Sequence, residues 1–116
     1  MEIIQRTIDS FPILDIIGEV DLYNAREIKD TLDAIMKLQK YEVVINLAEV
    51  PFMDSSGIGC LVTGMYKLKK YYGRLLVTGV TGSVAKVFKL TGMESHLEVL
   101  PTVEDAITSL KNTQGK

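Results

Sequence analysis

Apolar residues recur along this chain in two alternating rhythms. Ile3 to Ile8 and Ile13 to Ile17 are short β-branched runs separated by Asp9, Ser10, Phe11 and Pro12, which predicts two strands joined as a hairpin. From Tyr23 to Gln39 the period lengthens. Ala25, Ile28, Leu32, Ile35 and Met36 return at helical steps, while Arg26, Glu27, Lys29, Asp30, Asp33 and Lys37 take the opposite side of an amphipathic helix. Tyr41 to Leu47 carries an unbroken Val43, Val44, Ile45, the pattern of a strand covered on both faces and hence the centre of a sheet.

After the loop Pro51 to Gly57, Ile58, Leu61, Val62, Met65, Leu68 and Tyr72 predict a second amphipathic helix that Gly73 can end. Arg74 to Gly79 reads as the next strand. Ser83 is placed to cap a third helix presenting Val84, Val87 and Phe88 and ending at Gly92, and Leu97 to Val99 reads as a short last strand. Thr102 and Asp105 resemble a capping box ahead of Val103, Ala106, Ile107 and Leu110. The fold class that follows is α/β, a mixed four- to five-stranded sheet with right-handed crossovers and helices covering it. Residues 1–110 form a single domain, and residues 111–116 are expected to fray.

Composition narrows the chemistry. The chain has 116 residues, 47% of them apolar and 24% charged, enough for one core without disulfide or metal staples. Its formal charge of −2 and dispersed cations leave no nucleic-acid footprint. Lys67, Lys69 and Lys70 cluster at a predicted helix end, where cations suit the dipole, and read as a solvated end before a phosphate patch. One cysteine, Cys60, and one histidine, His96, make no familiar zinc spacing, so neither metal nor cofactor is expected. No run approaches the roughly 20 apolar residues of a membrane span. The N-terminus "MEIIQRTIDS" carries an acid and a base ahead of any signal-like segment, so no membrane insertion is expected and the predicted location is the cytoplasm.

The stretch "PFMDSSGIGCL", Pro51 to Leu61, is where function is concentrated. It leaves the carboxyl end of the central strand, the side of an α/β sheet on which sites lie. Asp54 or Ser55 can cap the helix, a contribution of about 1 kcal/mol. Capping leaves Gly57, Gly59 and Gly64 unexplained, since each costs a helix interior about 1 kcal/mol relative to alanine. Gly57, Cys60 and Gly64 share one narrow face on which a backbone could come close, that of the sheet or of a partner, with the sheet favoured. Neither serine reads as a hydrolytic nucleophile: G-x-S-x-G is absent and His96 has no acidic partner in sequence. A Walker phosphate loop is absent too. An exposed serine at a helix start can instead accept phosphate from another enzyme, because the added charge of about −1.5 to −2 is tolerated there.

"FMDSSGIG", Phe52 to Gly59, together with "GEVD", Gly18 to Asp21, resembles the bacterial anti-sigma-factor antagonists, which are single STAS domains, and the resemblance covers nearly the whole chain. It implies a non-enzymatic partner switch. The unphosphorylated antagonist binds an anti-sigma factor that is also a serine kinase and so frees a sigma factor; the kinase phosphorylates the first motif serine, here Ser55, and a PP2C-type phosphatase restores it. Asp21 matches an acidic loop residue near the phosphorylation site, and capping of the first helix is an equal and compatible role for it. The partner-binding set implied is Asp21, Asp54, Ser55, Ser56 and Gly57. Other STAS domains serve as docking subunits of transport or stress-sensing complexes, which is the alternative.

Overall fold

The computed structural model describes residues 1–114. Five strands, β1 (Glu2–Ile8), β2 (Phe11–Ile17), β3 (Glu42–Glu49), β4 (Arg74–Thr78) and β5 (Glu98–Leu100), lie side by side in chain order. β1 and β2 are antiparallel; β2 to β5 are parallel. The helices are α1 (Ala25–Lys37), α2 (Ser55–Lys69), α3 (Gly82–Thr91) and α4 (Val103–Gln114), with a single 3₁₀ turn at Met93–Ser95. The mixed sheet therefore has five strands rather than four.

Alternation within the strands divides the core between two faces. Leu14, Ile16, Val43, Ile45, Leu75 and Val77 meet Ile28 and Leu32 of α1, Ile58, Leu61 and Leu68 of α2, and Val84 and Phe88 of α3. On the other face, Phe11, Ile13, Val44 and Leu76 are covered by Val103, Ala106, Ile107 and Leu110 of α4. β3 is thus apolar on both sides because both are buried. Beyond α4 that second face turns polar. Arg6 Nε donates to Asp15 Oδ2 (2.7 Å), Asn46 Nδ2 donates to Asp15 Oδ1 (2.9 Å), and the buried Thr78 hydroxyl donates to Asn46 Oδ1 (3.3 Å), a ladder spanning four strands.

Several boundaries differ from the sequence expectation. β2 starts at Phe11 because Asp9 (φ 50°) and Ser10 (φ 73°) alone make the hairpin turn. The residues flanking such a turn form a hydrogen-bonded pair, so Pro12, one further on, lacks an N–H where the β1 pairing needs none. α1 is shorter than Tyr23 to Gln39, since Asp21 to Asn24 form a turn. β5 is shifted one residue along from Leu97–Val99. Thr81, not Ser83, is the N-cap of α3; Ser83 lies inside the helix and its hydroxyl donates to the Pro51 carbonyl at 2.5 Å. Tyr72 (φ 60°), not Gly73, takes the left-handed position after α2. Gly73 is required for room, because a Cβ there would collide with the Tyr41 carbonyl. Thr102 accepts from Asp105 N (3.2 Å), capping α4, which continues through Gln114; the rest of the segment expected to fray lies outside the described residues.

Candidate functional site

The parallel strands send their carboxyl ends, and the amino ends of α1, α2 and α3, to one pole of the molecule. There the loop after β2 and the loop after β3 are tied together. Gly18 N donates to Glu49 O (3.0 Å), Val20 N to Phe52 O (3.0 Å) and Asp54 N to Val20 O (3.1 Å), and Val20 and Met53 form a parallel bridge. "GEVD" and "FMDSSG" are consequently one structural unit, although thirty residues of chain separate them.

Each aspartate organises its own helix start. Asp54, extended at ψ −179°, is the N-cap of α2, and its Oδ1 accepts from Ser56 N (2.9 Å) and Gly57 N (3.2 Å). Of the two capping residues left open by the sequence, Asp54 is the one used. Asp21 Oδ1 accepts from Tyr23 N (2.9 Å) and Asn24 N (3.1 Å), while Asn24 Oδ1 accepts from Asp21 N (2.9 Å). This reciprocal pair closes the turn before α1. Asn24 is the N-cap by position, so Asp21 supports α1 from one turn outside it.

Ser55 is the first residue of α2 and is exposed; Ser56 is half-buried. Among the described residues the Ser55 hydroxyl has no partner. His96 precedes β5 and so lies at the amino ends of the strands, the opposite pole. The topology therefore denies Ser55 a histidine base. Partial burial pushes the Cys60 thiol up; Lys29 pulls it back and Asp54 adds to the rise, which keeps it protonated and a poor nucleophile. Among the described residues no group of three His, Cys, Asp or Glu side chains could hold a metal, and no helix is long and apolar enough to cross a membrane.

The three glycines of α2 have different neighbours. A Cβ on Gly57 would sit 2.7 Å from Met53 Cγ and 2.8 Å from Val20 Cγ1, and one on Gly64 would sit 2.7 Å from Leu32 Cδ1. The narrow face therefore packs against the joined loops and α1, not against the sheet. Gly57 is buried and shapes the rim from beneath. Gly59 is exposed with nothing within 4 Å of a Cβ, so nothing in the fold asks for glycine there.

Three residues of this pole escaped the reading of the sequence. Leu22 is 68% exposed, Tyr23 92% and Phe52 42%, and all three flank the joined loops around Ser55. Only Tyr23 carried a signal, its off-phase position against the stripe Ala25, Ile28, Leu32 that α1 buries; Leu22 stands three residues before Ala25, in step with that stripe. Asp21, Asp54, Ser55 and Ser56 thus share a rim with an apolar border and acidic flanks at Glu19 and Glu49.

The STAS domain family matches residues 2–106. The chain belongs to the STAS family. It is 29% identical over 99 residues to the anti-sigma-B factor antagonist of Listeria monocytogenes, covering 85% of this chain and 86% of that one. It is 30% identical over 93 residues to the protein of the same name from Staphylococcus epidermidis, covering 80% and 86%. The solved structure of the anti-sigma factor antagonist SpoIIAA in its unphosphorylated form superposes with a TM-score of 0.81 at 24% identity, over 96% of this chain and 97% of that one. The Bacillus cell fate determinant SpoIIAA in its phosphorylated form gives 0.72 at 22% identity, over 94% and 99%. This STAS domain therefore has the antagonist fold across nearly its whole length, with the joined loops at its carboxyl-end pole.

Proposed function

We propose that the protein is a phosphorylation-controlled anti-sigma-factor antagonist, a binding module of the cytoplasm whose ATP chemistry resides in its partner. In its unmodified form the rim around Ser55 binds an anti-sigma factor that is also a serine kinase, and a sigma factor is released. The kinase phosphorylates Ser55, the complex separates, and a PP2C-type phosphatase returns the serine. The observation that carries this reading is the setting of Ser55: an exposed hydroxyl without a partner among the described residues, at the first position of α2, on a rim bordered by the exposed Leu22, Tyr23 and Phe52.

The cap suggests how the switch acts on the partner and not on the fold. Asp54 already occupies the N–H groups of Ser56 and Gly57, so a phosphate on Ser55 finds those donors taken and a carboxylate beside it. It projects outward as a bulky dianion. In a close contact it brings a desolvation cost of several kcal/mol unless an arginine meets it, and each 1.4 kcal/mol is tenfold in affinity. Gly59 supports the same approach, because it leaves bare backbone one turn along α2.

The test is intact-mass analysis after incubation with the cognate kinase and ATP, followed by affinity measurement on both forms. One phosphate on Ser55 and a loss of at least a hundredfold in affinity is the expected result. A chain that binds but is never modified belongs instead to the docking subunits of transport or stress-sensing complexes.

A further inference from the structure

The pole opposite Ser55 has a character of its own. α1 and α2 run side by side and end there, and between their last turns lies a cavity of about 470 Å³ lined by Asp33, Met36, Lys37, Lys67, Lys70 and Tyr71. A second cavity of about 330 Å³ shares Tyr71 and adds Lys40, Tyr41, Glu42 and Tyr72. Tyr71 stacks on Tyr41 with ring centroids 4.4 Å apart and planes 5° from parallel. Asp33 draws in Lys29 and Lys67, while Lys37, Lys40, Lys69 and Lys70 form no ion pair among the described residues. Tyr72 is 98% exposed in the left-handed conformation, which glycine or asparagine adopts at lower cost. The fold has no use for a tyrosine there.

These features complement the far end of the same molecule. The Ser55 pole is acidic through Glu19, Asp21, Glu49 and Asp54 and carries Leu22 and Tyr23 on a protruding turn. The opposite pole is basic and concave, with Met36 and the tyrosines as its apolar part. We propose that the two poles bind each other between copies, with the Asp21–Tyr23 turn of one molecule seated in the groove between the α1 and α2 ends of the next. In that arrangement aspartates at helix amino ends face lysines at helix carboxyl ends, and the helix dipoles of successive copies align. The contact joins different surfaces, so it does not close on a dimer and extends into open chains unless the geometry makes a ring. It also covers the rim around Ser55, so any partner that takes the rim terminates the chain. The contact requires neither the kinase nor a phosphate on Ser55.

Sedimentation equilibrium on the purified protein tests it with a second copy as the only ligand. The wild type should gain mass with concentration, beyond a dimer, in about 0.02 M salt and return to monomer in about 1 M salt, where the Debye length is about 3 Å. Leu22→Ser with Tyr23→Ser removes the turn's apolar tip, and Lys37→Glu with Lys70→Glu reverses the groove; circular dichroism checks that both variants fold. Each double variant alone should be monomeric. Their equimolar mixture should form a one-to-one dimer and stop, because one intact turn and one intact groove remain. A wild type that stays monomeric at every concentration leaves the groove to a different protein and overturns the proposal. Association that persists in either variant, or a mixture that stays monomeric, overturns it equally.

Discussion

At the scale of single residues, Gly57 and Gly59 separate packing from binding. Gly57→Ala drives a methyl into Val20 and Met53, both fully buried, and overpacking of this kind costs about 1–3 kcal/mol. Gly59→Ala meets open space and gains about 1 kcal/mol of helix propensity. Thermal melts should therefore move in opposite directions. Gly59→Ala should also weaken the kinase complex while raising the melting temperature, a combination that a structural glycine cannot give. The two serines separate in the same way. Ser55→Ala should abolish phosphorylation and Ser56→Ala should leave it in place, because only Ser55 is exposed; site-localised mass spectrometry decides.

At the scale of elements, the ladder Arg6, Asp15, Asn46, Thr78 pins four strands where α4 no longer covers them. Partial burial pushes the Asp15 carboxyl up, but the hydrogen bonds from Arg6 and Asn46 and the Arg6 charge outweigh it and hold the group below the usual carboxylate range. A depressed folded-state value means that Asp15 contributes stability above its unfolded value near 3.9 and loses it as pH falls through the folded value. Arg6 is 43% exposed, so solvent screening limits the pair to about 1 kcal/mol or less. Asp15→Asn should lower stability at pH 7 and flatten the decline below about pH 4, as read from urea midpoints across pH. The existence and order of these elements were legible from periodicity, because each helix buries a single stripe and β3 buries both faces. The ends were not. Asp9 and Ser10 marked a turn but not its two-residue length, Tyr72 takes a left-handed conformation that its residue type does not advertise, and Ser83 bonds to Pro51 across a loop, a partner that only the assembled fold supplies.

At the scale of the whole molecule, phosphorylation of Ser55 should leave the fold nearly unchanged. The acceptor is outside both halves of the core, and Asp54 keeps its cap bonds. Near-UV circular dichroism of the phosphoprotein should superpose on that of the free form, with melting temperatures within a few degrees; loss of the tertiary signal would mean that the switch works by unfolding. The motif residues on the rim were legible because they sit in one short run with a turn chemistry of their own. The apolar border was less so: Tyr23 is off the phase of α1, but Leu22 and Phe52 look like core residues until the fold leaves them exposed.

The sequential strand order has a consequence for synthesis. Every strand pairs with the one made just before it, so a chain leaving the ribosome at about 5–20 residues per second can add each unit to a sheet already begun. The exception is α4, the last element described, which alone covers Phe11, Ile13, Val44 and Leu76. At about 1.5–3 kcal/mol for each such side chain, that cover accounts for a large part of a stability that rarely exceeds 15 kcal/mol. A nascent chain stopped at Pro101 should therefore display a bare apolar face, bind a hydrophobic dye and attract chaperones. It should lose the dye only when α4 arrives, so that docking of that helix, and not formation of the sheet, closes the second face of the core.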